Sequence, residues 1–210
     1  MNANELRKDP LNVVIAGVGG QGNVLMSFLI GSALVRKGYF VTIFDNYGAS
    51  QRLGAVASYI KISQGGSHTS PLLHEGDADV IVGMEPIELL RNLTRFGNPE
   101  VITIANTRPV YPIGVITGEV EYPDLDKAIE TIRSLSARSW IVNATEEALK
   151  LGNTIYTNVI LLGTLLGSNS LPLDKETMEE ILKEELPKVF DTNIVALQRG
   201  LDLVRDTMNK

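Results

Sequence analysis

The chain has 210 residues, 44% of them hydrophobic and 21% charged, with a formal net charge of -6 and no cysteine. That length suits one domain burying roughly 70% of its unfolded-chain surface, and the acidic balance speaks against a nucleic-acid partner, whose phosphates are met by Lys and Arg. Lack of cysteine excludes disulfides, thiolate nucleophiles and Cys-ligated iron–sulfur clusters from this chain. The polar start "MNANELRKDP" shows no signal-peptide core, and "VILLGTLLG" (Val159–Gly167), the longest apolar run, is far short of the roughly 20 residues that cross a bilayer; a cytoplasmic location is expected.

In chain order, Val13–Ala16 reads as a short buried strand, followed by the glycine-rich "GVGGQG" and a helix over Asn23–Lys37 that Gly38 stops. Tyr39–Asp45 is a second strand, so the opening reads as one βαβ unit. Asn46–Gly54 is a polar loop, Ala55–Ser63 a strand, and "QGGSHTSP" a turn. Ala78–Met84 is a further parallel-type strand, and Pro86 suits the first turn of a helix through Phe96. Glu100–Asn106 is the next strand. "TRPVYPIGVITGEVEYPD", with three prolines and two glycines, is predicted to be extended and turn-rich. Leu125–Leu135 has helical spacing, Ser139–Ala144 is a buried strand, and Asn143 with Glu146 resembles a capping box for a helix ending near Gly152. Thr154–Gly167 is a very apolar helix. Asp174 is expected to cap Lys175–Leu186, which Pro187 stops, and a last helix covers about Thr192–Met208.

Strands alternating with helices imply a Rossmann-like α/β fold: an open, mostly parallel sheet with helices on both faces and a helical C-terminal segment, as a single domain over residues 1–210. Ligands of such sheets gather at the carboxyl ends of the strands, so the loops Gly17–Asn23 and Asn46–Gly54 should meet there.

Gly17, Gly19 and Gly22 spell G-x-G-x-x-G behind a strand, and Asp45 ends the next one. That is the layout of a dinucleotide fingerprint, in which the glycines allow close backbone approach, the helix start attracts phosphate and the acid takes ribose hydroxyls. Gly20 and Gln21 go beyond what such a turn needs. The second loop holds Gln51 and Arg52, and Arg is suited to carboxylate or phosphate. Glu85, Glu88, Arg91 and Arg95 read as i,i+3 and i,i+4 pairs on a solvent face. Glu179, Glu180, Glu184 and Glu185 read as a solvated helix face. His68 and His74 lack partners at metal-ligand spacing. No nucleophile motif or P-loop Lys is present, so the chain does not look self-sufficient for catalysis.

"GVGGQGN" followed by "YGASQRLGAVASYIKIS" resembles the gamma-type subunits of the 2-oxoacid:ferredoxin oxidoreductases, including the corresponding indolepyruvate ferredoxin oxidoreductase subunit. Gly17, Gly19, Gly20, Gln21 and Gly22 match the family's G-x-G-G-Q-G, and Gln51, Arg52 and Gly54 its Q-R-G-G or Q-R-G-A stretch. "ADVIVGMEPIELLR", "NATEEALKLGNTIYTNVILLGTLLG", "LPLDKETMEEIL" and "TNIVALQRG" extend the similarity over essentially the whole chain. Leu53 departs from it, standing where many relatives have glycine.

The resemblance implies a complex that oxidatively decarboxylates a 2-oxoacid to an acyl-CoA and reduces ferredoxin. Thiamine diphosphate, Mg²⁺ and the [4Fe–4S] clusters would sit on thiamine-binding and ferredoxin-like partner subunits, and none on this chain. By that reading no residue here is catalytic. Gly19, Gly20, Gln21, Gly22 and Asn23 of the first loop, with Ser50, Gln51 and Arg52 of the second, would face partner subunits or the phosphates of CoA. Self-association of the isolated chain is a further expectation. Two other readings rest on the glycine loop: a free-standing NAD(P)- or flavin-dependent oxidoreductase, and a nucleotide-binding regulatory module.

Overall fold

A computed structural model describes residues 6–48, 54–66 and 70–208. Six strands form one sheet: β1 (Leu11–Val18), β2 (Phe40–Tyr47), β3 (Ala55–Ser63), β4 (Val80–Gly83), β5 (Ile102–Asn106) and β6 (Arg138–Val142). Their order is β2-β3-β1-β4-β5-β6. β1, β4, β5 and β6 pair in parallel, whereas β3 runs antiparallel to both β1 and β2. Five strands therefore share one direction, as the sequence predicts.

The opening unit differs from its expectation. β1 and β2 are parallel but not neighbours, because β3 lies between them over its full length. The cause is the connection after β2: residues 48–54 are too few for a crossover and long enough for a hairpin, which turns the next strand antiparallel. An eight-residue β1 buried at every position sits in the middle, while β2 lies at the edge with most of its side chains exposed.

Helices cover both faces. α1 (Asn23–Arg36), α5 (Ala144–Lys150), α6 (Thr157–Gly167), α7 (Lys175–Glu185) and α8 (Phe190–Met208) enclose the larger core, to which Met26, Leu29, Ile30, Leu161, Ile181 and Leu197 contribute. α2 (Pro86–Phe96) and α4 (Leu125–Ser134) cover the other face through Leu89, Leu93, Phe96 and Ile132. α6 is buried nearly all round, which explains its uniformly apolar sequence. It crosses α8 backbone to backbone: a Cβ at Gly163 would lie 2.1 Å from the Leu197 carbonyl oxygen, and one at Gly200 2.0 Å from that of Ile160. Predicted caps form as expected, Asn143 accepting from the Glu146 N–H at 3.1 Å and Asp174 from the Thr177 N–H at 2.8 Å. The proline-rich stretch after β5 is extended apart from one short helix, α3 (Ile113–Ile116), and the turn of residues 117–120 that follows it.

Candidate functional site

Because β1, β4, β5 and β6 are parallel, the glycine loop, the Glu85–Pro86 turn, the strap of residues 107–123 and the Asn143 cap all leave the same edge of the sheet. α1 leaves β1 towards one face and α2 leaves β4 towards the other, so the switch point lies between β1 and β4. The glycine loop stands at that point. Gly22 ends it in a left-handed conformation (φ 87°) that an L side chain rarely adopts.

Gln21 does not reach outward. Its Oε1 accepts from the Val18 N–H at 2.9 Å and its Nε2 donates to the Met84 carbonyl at 3.1 Å. The amide thus bridges the ends of β1 and β4 and is held against the sheet, with both of its ends used by the backbone. Gly17 leaves room for it, since a Cβ there would lie 2.7 Å from Gln21 Oε1. The Met84 carbonyl also accepts from Asn106 Nδ2 at 3.0 Å, and the same Nδ2 donates to Thr145 Oγ1 at 2.9 Å. A chain of amides thereby ties the glycine loop to the start of α5. Asn23 is buried, donates to the Val56 carbonyl at 3.0 Å and leaves its Oδ1 unpartnered. Spacing alone did not reveal these inward roles, although the extra Gly20-Gln21 was the signal for them.

The two loops meet as expected. The Gly19 N–H donates to the Gly54 carbonyl at 2.9 Å. Ser50, Gln51 and Arg52 lie outside the described residues, as does His68. Asp45 does not fill the ribose-binding role of the fingerprint: β3 separates it from β1, and it accepts a hydrogen bond from Ser58 Oγ.

Beside the glycine loop opens a cleft of about 620 Å³, lined among others by Gly20, Gln21, Gly22, Arg108, Thr145 and Asn158. The N-terminus of α1 points to it without a side-chain cap or an acid in the first turn, so its N–H groups keep their attraction for an anion. Arg108 makes no ion pair among the described residues. Apolar side chains ring this end of the molecule: Tyr111, Ile113 and Ile116 on the strap, with Leu149 and Ile155 across the cleft, are all exposed.

On the other side of the strap lies a cavity of about 280 Å³ bordered by Glu85, Glu88 and Tyr122. Here the solvent-face expectation holds for Arg91 and Arg95, which are exposed, and for the i,i+3 pair of Arg91 with Glu88, but fails for the two acids. Glu85 is 2% exposed and Glu88 9%. Glu85 precedes α2 as its cap, accepting from the Glu88 N–H at 2.8 Å, and also accepts from the Tyr122 hydroxyl. Burial raises the Glu88 carboxyl above its ordinary value, against the pull of Arg91 at 2.8 Å, and burial with the Glu85 contact pushes the Tyr122 hydroxyl far upward. The strap folding back over α2 is what covers these acids, a long-range contact invisible to helical spacing.

Among the described residues no group of three or more His, Asp or Glu side chains could hold a metal ion. With no cysteine in the chain, these residues do not fit a cluster.

A family model described as pyruvate ferredoxin/flavodoxin oxidoreductase matches residues 12–203. The chain belongs to this family. The IorB subunit of the indolepyruvate oxidoreductase of Archaeoglobus fulgidus is 39% identical over 191 residues, which is 90% of this chain and 93% of the relative. In fold, the chain is similar to the pyruvate oxidoreductase subunit PORC of Thermotoga maritima (TM-score 0.69, 21% identity, 93% of this chain and 97% of that one). It is also similar to part of the 2-oxoglutarate:ferredoxin oxidoreductase of Magnetococcus marinus (TM-score 0.73, 19% identity, 95% of this chain and 32% of that one), whose structure holds 2-oxoglutarate, coenzyme A and succinyl-CoA. As a member of this family the chain acts as a subunit of a 2-oxoacid:ferredoxin oxidoreductase. Neither the free-standing nucleotide-dependent oxidoreductase nor the regulatory module is supported, and the placement of Asp45 beyond β3 departs from the dinucleotide fingerprint. No helix among the described residues is long and apolar enough to cross a membrane.

Proposed function

We propose that this chain is the small, single-domain subunit of a cytoplasmic indolepyruvate-type oxidoreductase, with thiamine diphosphate, Mg²⁺ and [4Fe–4S] clusters held by its partners. The observation that carries the substrate is the 39% identity to the indolepyruvate relative over 90% of this chain. In this reading the chain does no bond making. It presents the cleft beside Gly19–Asn23 to the phosphates of CoA, with α1 N–H groups and Arg108 as the anion-attracting elements. Ser50, Gln51 and Arg52 of the second loop are assigned to the same anion-binding role, on the strength of their residue types alone. The exposed apolar rim around the cleft packs against the thiamine-binding subunit, which brings the acyl intermediate and CoA together where the two chains meet.

Reconstitution tests this. The chain is combined with its thiamine-binding and ferredoxin-like partners and assayed with CoA and a viologen dye against indolepyruvate, pyruvate, 2-oxoglutarate and a branched-chain 2-oxoacid. The expected result is no activity from the isolated chain, and in the complex the highest kcat/KM for indolepyruvate. Preference for another 2-oxoacid overturns the substrate, and tight NADH or flavin binding by the isolated chain overturns the whole reading.

A further inference from the structure

We infer that two copies of this chain associate through the free edge of β2, joining their sheets into one across a two-fold axis. This inference does not depend on the CoA-binding reading of the cleft, which is lined from the glycine loop, α1, the strap, α5 and α6 and not by β2.

β2 is the last strand of the sheet, and among the described residues nothing pairs with its outer edge. Soluble proteins protect such an edge with lysines, proline, bulges or brevity. β2 has none of these. It is eight residues long, pairs with β3 in unbroken register from Phe40 to Tyr47, and carries one charge, Asp45, which Ser58 engages. Its side chains are instead large and apolar. Phe40, Ile43, Phe44 and Tyr47 are exposed, Tyr47 to 61%. Gly31 of α1 packs onto Ile43. Phe28 and Val35 lie three residues before and four after Gly31, on the same side of the helix, and both are exposed. The helix thus extends the apolar surface of Ile43 and Tyr47 on one face of the sheet, while Phe40 and Phe44 lie on the other face.

A second copy fits this surface better than a different partner. The exposed parts of these six side chains, four on the α1 face and Phe40 and Phe44 on the other, amount to roughly 600 Å² per copy, of which sheet joining at the edge buries a part together with the strand backbone, towards the roughly 800 Å² per partner of a standard stable interface. The strand also complements itself. A two-fold axis normal to the sheet at Phe44 sets Phe44 against its own copy, Val41 against Tyr47 and Thr42 against Asn46. Asp45 then falls opposite Ile43, so no like charges meet. Open N–H and C=O groups along both edges are paired by the same move.

The absence of cysteine gives a clean probe. Cβ atoms of directly opposed residues lie about 4.5–5.5 Å apart, near the reach of a disulfide. Phe44→Cys is therefore expected to form a covalent dimer on mild oxidation, both as the isolated full-length chain and in the reconstituted complex. Leu135→Cys, exposed on the far side beyond α4, is expected not to. Sedimentation of the unmodified chain should show a dimer at micromolar concentration, and Tyr47→Lys should weaken it at least tenfold with an unchanged circular dichroism spectrum. A monomeric chain, failure of Phe44→Cys to cross-link, or a dimer that survives Tyr47→Lys overturns the inference. So does a monomer in which Tyr47→Lys abolishes binding of a partner subunit, which would assign the edge to that subunit.

Discussion

Gln21 links sequence to function at the scale of a single residue. Its amide bridges the ends of β1 and β4 with a hydrogen bond at each end, so the residue that sets this loop apart from a dinucleotide fingerprint is turned inward, towards the sheet. Replacing it discriminates between a structural bridge and a ligand contact. In Gln21→Ala the Met84 carbonyl keeps Asn106 as a donor, and the loss falls on the Val18 N–H; unfolding free energy in urea is expected to drop by about 1–2 kcal/mol. Gln21→Glu preserves the acceptor but sets a carboxylate against the Met84 carbonyl, and is expected to lose more than the alanine variant. If Gln21 instead contacts ligand, both variants keep their stability and only the KM for CoA changes. The motif itself was legible in the sequence, since Gly20-Gln21 stood out from the ordinary turn. Its physical meaning was not, because the Met84 carbonyl lies 63 positions away.

The elements were read largely from periodicity and caps, and the ends of α2, α5 and α7 fall where Pro86, Asn143 and Asp174 place them. The insertion of β3 between β1 and β2 is not legible in a strand pattern, which carries no direction; the length of the 48–54 connection holds that information. Nor does periodicity say which helices touch. The face of α7 read as solvated does expose Glu180 and Glu184, yet both reach Arg36 of α1, at 3.5 and 2.5 Å. Next to them Lys37 bonds Asp174, the cap of α7, and this contact first, with the hydrogen bonds from Thr177, pulls the Asp174 carboxyl down to about 2. The folded value lies below the unfolded one, so the stabilisation is present above about pH 4 and is lost as pH falls through about 2. Because Asp174 is 41% exposed, solvent reduces the effect to about 1 kcal/mol. Lys37→Met is thus expected to be less stable than the parent by that amount at pH 6, with the two curves converging near pH 2 in denaturant titrations. A constant gap down to pH 2 would show that packing of the lysine stem, and not the ion pair, joins α1 to α7.

At the scale of the whole molecule, the parallel strands collect every site-bearing loop at one end, and that much followed from the α/β pattern. The apolar ring there did not, because it is built from segments distant in sequence: the strap after β5, the end of α5 and the turn before α6. The strap is anchored from below, where the Tyr122 hydroxyl reaches Glu85 and the Tyr122 ring meets that of Tyr111 edge-on at 5.0 Å. Its tip, by contrast, stands in solvent, with Ile113 and Ile116 exposed by 63% and 68%. Such a tip costs nothing to the isolated fold, so a charge placed there separates assembly from stability. Ile113→Lys/Ile116→Lys is expected to leave the thermal midpoint of the isolated chain within about 1–2 °C of the parent, since exposed positions carry little folding energy. The same change should weaken binding of the thiamine-binding subunit at least tenfold by calorimetry, because two desolvated ammonium groups would have to enter an apolar contact. Unchanged binding would move that contact away from the cleft end and leave CoA without a shared site. Weakened binding accompanied by an equal loss of thermal stability would instead make the strap a structural brace, with Glu85 and Tyr122 serving the fold and not the assembly.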